Sequence, residues 1–289
     1  MLTNFHAHAR FDRGPLDNDA LVSLAPSIFA TEPHESRSAR FAYISTSTVL
    51  EALRKEGFLP MAARQGNSRI PGKAEFTKHQ IRFRRENALR RIQVGDVVQE
   101  VILTNAHDGT SSYILEVGLF RVLCLNGLTA HQGGFDAVKI GHTGHVVDKV
   151  IEGSYRVLDQ AGIALDRAEE WSGIALNHDE QHVFASAAHA IRFDEDAETP
   201  IRPEHLLRPR RIEDRSSDVW TTFNRLQENA IRGGLTAQGH DHIGRPRRTT
   251  TREIKGIDQS DRINRGLWVL AQGMADIKAG NAPALPAAA

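Results

Sequence analysis

Cysteine is almost missing: Cys124 is the only one in 289 residues, so neither an internal disulfide nor a thiolate-rich zinc site can form. A reducing compartment suits such a chain, and the cytoplasm is the expected location. Aromatic residues are few, 6% of the total, which leaves little surface on which nucleic-acid bases could stack. No apolar run reaches the roughly 18 to 20 residues of a membrane span, and Met1 to Arg10 lacks the apolar stretch of an export leader, so no membrane partner is expected. An excess of one charge is absent too, with 36 Lys plus Arg against 36 Asp plus Glu. At first sight that zero excludes the attractive field of a nucleic-acid binder. G-x-x-x-x-G-K-[ST], G-x-G-x-x-G and G-x-S-x-G are all missing, so nucleotide hydrolysis, dinucleotide redox and hydrolase-elbow chemistry have no motif, and no cofactor is expected.

What is there reads as an α+β fold. Residues 1–42 mix prolines, histidines and charges without a period, an irregular arm with room for one short helix. Ser45, Ser47 or Thr48 can cap a helix carrying Val49, Leu50 and Leu53, with Gly57 as its stop. Strands follow at Phe58–Gln65, through His79, Ile81 and Phe83, at Val97–Leu103 and at Tyr113–Leu123, separated by Gly, Pro, Asn and Asp turns. Alternation in the second strand sets Ile81 and Phe83 on one face and Arg82 and Arg84 on the other. Gly133-Gly134 marks a turn, and a long helix opens at Thr143 and runs through Trp171. Further helices cover Asn177 to about Ile191, Val219 to Ala230 and Ile263 to Ile277. The fold class is therefore an antiparallel sheet flanked by a short N-terminal helix and a long helix, followed by a mostly helical C-terminal half. One domain is expected over 43–278, its sheet part at 43–160 and its helical part at 161–278, with a hydrophilic link at Asp194–Pro209 and a disordered tail at 279–289.

The charge is zero in total but not in place. From Arg64 to Arg91 nine basic residues face two acids, and from Arg202 to Lys255 twelve face seven. The balance lies between Asp148 and Glu198, where twelve acids meet four basic residues. Arginine outnumbers lysine 29 to 7, and a guanidinium makes bidentate contacts to phosphate that an ammonium cannot. Lys78, Arg82, Arg84 and Arg85 are candidates for one side of a phosphate groove, and Arg208, Arg210, Arg211, Arg245, Arg247 and Arg248 for a second patch. The same arginines could instead pair internally with the acidic middle helices.

Fourteen histidines raise the question of metal or acid–base chemistry. His178, His182 and His189, spaced by four and seven, would share one side of a helix as metal ligands, although Asp179 replaces the glutamate of the zinc-protease pattern. His107 and Asp108, with His142 and His145, could form a catalytic or ion-binding cluster at one end of the sheet. Against this, Asn105, Asp108 and Gly109 are also what a hairpin loop requires. Cys124 sits among apolar neighbours and reads as a core thiol.

Thr46–Phe58, Thr77–Phe83, Leu103–Gly109, Gly118–Gly127 and Trp220–Asn229 resemble the phage- and plasmid-borne family of unknown function DUF932, from about Tyr43 to Ala275. That resemblance implies a mobile-element setting and supplies no activity. The order of helix, antiparallel strands and long helix is similar to the core of single-strand annealing recombinases, a likeness of fold only. The leading expectation is a non-catalytic protein that binds nucleic acid, single-stranded DNA in particular, through phosphate contacts and with homo-oligomerisation open. Two rivals stand beside it: a metal-dependent enzyme acting on nucleic acid, and an anti-defence factor whose acidic helices bind a host protein.

Overall fold

Four helices begin where the sequence supplies a side-chain cap. The computed structural model describes residues 14–35, 43–68, 70–89, 96–123, 126–127, 130–131, 137–142, 145–193, 199–240 and 243–281. Asp17 accepts from the Ala20 amide and opens α1 (Asn18–Leu24), and a 3-10 turn follows at Pro26–Phe29. Leu21, Ala25 and Ile28 are fully buried, so this part of the expected arm is a short helix packed into a core. Ser45 caps α2 (Thr46–Lys55) by accepting from the Thr48 amide, and Gly57, at φ 75°, ends it in the left-handed conformation that glycine adopts without cost. Val49, Leu50 and Leu53 recur at helical spacing and are fully buried; removing each from water contributes about 1.5–3 kcal/mol.

The chain divides into two compact units, the first ending at Leu165 and the second beginning at Asp166. In the first, β1 (Phe58–Gln65), β2 (His79–Arg85), β3 (Val97–Asn105) and β4 (Tyr113–Leu123) form an antiparallel meander in chain order. β5 (Asn126–Gly127), β6 (Ala130–His131) and β7 (Val138–Ile140) all pair with β4. Among the described strands β1 is at the edge of the sheet, where Pro60 is tolerated because no described strand on its outer side needs the missing N–H. A register shift falls between Pro60 and Ala62, and the Leu16 amide donates to the Pro60 carbonyl at 2.7 Å.

Antiparallel register places paired residues on the same face. Ala63, Ile81, Leu103, Leu115 and Val138 make one apolar row and Phe83, Val101 and Val117 the next. Both rows join the core built with α1, α2 and the long helix α3 (Val146–Ser172), through Val146, Val150, Val157 and Ala161. Gly153 lets α3 approach the sheet closely, since a Cβ there would lie 2.7 Å from Leu115 and 3.0 Å from Val138.

The second unit holds the end of α3, α4 (His178–Arg192), α5 (Pro203–Leu206), a 3-10 turn at Ile212–Arg215, α6 (Val219–Arg232), the strand pair β8 (Thr236–His240) and β9 (Pro246–Thr250), and α7 (Ile257–Lys278). Asn177 and Glu180 form a reciprocal capping box on α4, and Asp218 caps α6 by accepting from the Thr221 amide. Almost every residue of α6 is buried. Its aromatic centre is Trp171, Trp220, Phe223 and Trp268, with Trp171 and Trp268 centroids 4.5 Å apart and Phe223 edge-on to Trp268 at 5.7 Å.

The fold is thus α+β, with the sheet flanked by short and long helices and the C-terminal half mostly helical, as the sequence periodicity predicts. The short strands β5 to β9 and the helix α5, which lies within the expected link at 194–209, are additions. No described helix is long and apolar enough to cross a membrane. Cys124, the Gly133-Gly134 turn, Thr143 and the tail beyond residue 281 lie outside the described residues.

Gly153→Ala tests the helix-to-sheet contact. Alanine gains up to about 1 kcal/mol of helix propensity, but the clash with Leu115 and Val138 is expected to leave the protein about 1–3 kcal/mol less stable in urea unfolding.

Candidate functional site

The face of the sheet opposite the apolar rows carries Arg64, Gln80, Arg82, Arg84, Glu100 and Thr104, all of them buried. Arg82 Nε donates to Glu100 Oε2 at 2.6 Å, and Arg84 donates to Glu100 Oε1 from Nε at 3.1 Å and also from Nη2. The Arg82 guanidinium lies 3.2 Å from the centroid of the Phe120 ring. That ring occupies space left by Gly118, where a Cβ would sit 2.5 Å from it. Arg82 and Arg84 therefore do not line an open phosphate groove: they occupy the expected face, but a carboxylate on the next strand and an aromatic ring hold them out of water. Arg85 lies over Phe58 and Tyr155 and donates to the Tyr155 hydroxyl and the Glu56 carbonyl, while Lys78 is half-buried. A cavity of about 460 Å³ near this end of the sheet is lined by Arg85, Gln99, Val97, Tyr155, Leu158 and Asp159. The Gln99 amide there is already committed to the Ala161 carbonyl.

At the other end of the core-facing side, the row Gln65, His79, Asn105, Tyr113 is polar, and the start of α2 sits on it. Thr46 Oγ1 contacts His79 Nε2 at 2.9 Å, Asn105 Nδ2 at 3.0 Å and His107 Nε2 at 3.2 Å. A hydroxyl has one hydrogen and two lone pairs. With Asn105 donating, one imidazole must donate and the other accept, so the two Nε2 atoms carry opposite protonation. Ser27 Oγ and the Thr77 carbonyl contact His79 Nδ1, while Asn105 Oδ1 has no hydrogen-bond partner among the described residues.

Burial pushes His79 down to about 3, with His107 adding to the fall and the Thr77 carbonyl opposing it. Burial likewise pushes His107 to about 4, with His142 adding to that, and it lowers His142. For Asp108 burial acts to raise the pKa, but hydrogen bonds from Thr110 and Lys73 prevail and hold the carboxyl below its ordinary range. Of the expected catalytic group, then, His107 and Asp108 are buried, and His107 and His142 are close enough to interact. His145 is not part of it, standing exposed at φ 61° beside Asp148. The members that sequence reasoning missed are His79, Thr46 and Ser27. Register was the signal for His79, which shares the face of Ile81 and Phe83.

The metal candidates separate. His178 is 94% exposed beside Asp179, His182 faces Glu204, and His189 Nε2 contacts the Ile201 carbonyl at 2.7 Å. Among the described residues no group of three or more metal-binding side chains comes together.

In the second unit Glu228 is a hub: Arg211 grips it with both terminal nitrogens at 2.8 Å, Arg232 reaches it at 2.8 Å, and Arg210 lies 3.9 Å away. Burial acts to raise the Glu228 pKa, but these arginines override it and keep the carboxylate charged. Arg210 also donates to Asn229 Oδ1 at 2.7 Å and Arg211 to Asp214 at 2.8 Å. Two of the six expected phosphate contacts are therefore spent internally, because α6 buries an acid that must be neutralised. Arg208, Arg245, Arg247 and Arg248 are exposed. Arg247 and Arg248 form no ion pair among the described residues.

The last three of these lie on or beside the ribbon β8–β9, where the Gln238, His240, Pro246, Arg248 and Thr250 face is open to solvent. Between Leu235 and Arg252 the sequence holds four arginines, two histidines and one acid, Asp241. The ribbon's base is fixed. Gly234 donates to the Thr251 carbonyl at 2.8 Å and Thr251 to that of Leu235 at 2.9 Å, and the Arg192 guanidinium bridges the Ala230 and Arg252 carbonyls. Gly233, at φ 69°, lies so close to the Arg252 main chain that a Cβ would come within 2.6 Å.

Residues 33–268 match the family described as domain of unknown function DUF932. The chain is 42% identical over 265 residues to UPF0380 protein YafZ of Escherichia coli K12, covering 92% of this chain and 93% of that protein. It is 42% identical over 263 residues to UPF0380 protein YfjQ of the same strain, covering 91% and 92%. No solved structure matches.

Two outcomes follow from the buried groups. Unfolded histidines titrate near 6.5 whereas native His79 and His107 stay neutral, so below that pH the unfolded state takes up protons that the native state refuses. The stability held by each histidine is full above pH 6.5 and falls by about 1.4 kcal/mol per unit, toward pH 4 for His107 and toward pH 3 for His79. Urea midpoints at pH 5 and 7.5 measure this, and His79→Gln should flatten the slope. Glu100→Gln, which strips two buried guanidinium groups of their anion, should cost about 3–5 kcal/mol by the same assay.

Proposed function

The chain belongs to the DUF932 family, and on the residues just described we propose that it binds nucleic acid without catalysis, through phosphate contacts made by the basic ribbon β8–β9. The observation that carries this reading is the pair Arg247 and Arg248, exposed and with no ion pair among the described residues, on a strand pair whose base is tied to the end of α6. Guanidinium groups that serve stability are drawn inward onto carboxylates, as Arg82, Arg84 and Arg211 are. Those held in water on a rigid support remain available to a polyanion. Thr249, Thr250 and Thr251 add neutral donors beside them. In a mobile-element protein such a surface would serve annealing or protection of DNA.

The buried histidines support no rival enzymatic reading: His79 and His107 are fully buried, so a substrate cannot reach them without local opening. Aromatic stacking adds little, because among the described residues Tyr155 is the one aromatic side chain in the exposed large hydrophobic set, and it already carries Arg85. Affinity would therefore come from charge and be steep in salt.

Fluorescence anisotropy with a labelled 30-nucleotide single strand and its duplex, titrated at several salt concentrations, tests the reading. Binding at low salt is expected to weaken steeply as salt rises, and Arg247→Ala with Arg248→Ala should lower the log–log slope by about 2. Undetectable binding to both nucleic acids at low salt would sink the proposal.

A further inference from the structure

Resting on the nucleic-acid reading, we infer that the ribbon β8–β9 is an arm that enters a groove of duplex DNA and places the Ile243 side chain against a base step. Five residues per strand give the arm a length of about 17 Å at the usual strand rise. Two strands about 5 Å apart fit a duplex groove, which a wider sheet does not.

Its orientation is fixed at two places. The base is tied to the end of α6 by the Gly234, Thr251 and Arg192 hydrogen bonds. One face is seated on Pro200, where a Cβ on Gly239 would lie 2.9 Å away. Ala237, Gly239 and Thr249 on that face are half-buried, so the arm cannot roll, and the opposite face with Gln238, His240 and Arg248 stays presented to solvent.

The tip carries the chemistry that phosphate tracking alone does not explain. Ile243 is 57% exposed in a stretch that is otherwise polar, and Gly244 turns the chain beside it at φ 78°. Arg245 follows at once, and Arg247 and Arg248 stand two and three residues further along. An apolar wedge at the end of a cationic ribbon is the combination that unstacks a base step while arginines hold the flanking phosphates. A single strand is the poorer match, since its bases need aromatic platforms and the ribbon has none.

The test uses the full chain and a 30-base-pair duplex labelled at both ends, read by energy transfer between the ends and by anisotropy. Wild type should bind and shorten the end-to-end distance. Ile243→Ala should keep the salt slope, lose the shortening and bind the duplex about tenfold more weakly, with single-strand affinity unchanged. Ile243→Leu should restore both. Duplex binding without shortening, or shortening that survives Ile243→Ala, overturns the arm while leaving phosphate binding standing. Absence of binding to either nucleic acid overturns both readings.

Discussion

A guanidinium taken out of water must find an anion, and this one requirement organises both halves of the protein. In the first unit Glu100 serves Arg82 and Arg84 together; in the second Glu228 serves Arg211 and Arg232, with Arg210 close by. Each carboxylate is buried and so depends on its arginines as much as they depend on it. A well-packed apolar cluster could stabilise either site as well. What the ionic version adds is direction, since a bidentate contact fixes the angle between two elements in a way that aliphatic packing does not.

Periodicity made most of the fold legible. Ser45 and Gly57 bracket α2, Asn177 and Glu180 announce α4, and β-branched runs mark β3 and β4, because these signals are local and the forces behind them act within a few residues. The strands β8 and β9 were missed because Gln-Gly-His and Pro-Arg-Arg have weak strand propensity; tertiary anchoring to α6 holds them in place.

The candidate site was legible in composition and illegible in exposure. Alternation put Arg82 and Arg84 on the face opposite Ile81, and they are there. Whether that face is wet depends on Glu100, which stands 18 residues past Arg82 and becomes a neighbour only through the β2–β3 register. In the same way His79 reads as a polar residue near a turn until Thr46, 33 residues before it, arrives with α2. Contacts at such separations are set by topology, which a one-dimensional pattern does not carry.

The edge of the sheet carries a last consequence. On β1 a proline lacks its amide hydrogen, the register slips beside it, and Leu16 already uses the Pro60 carbonyl. These are features that stop a strand from templating another chain. Two copies of this protein meeting at β1 are thereby hindered from joining their sheets through that strand, so the proline that weakens the edge also keeps it from recruiting a second chain.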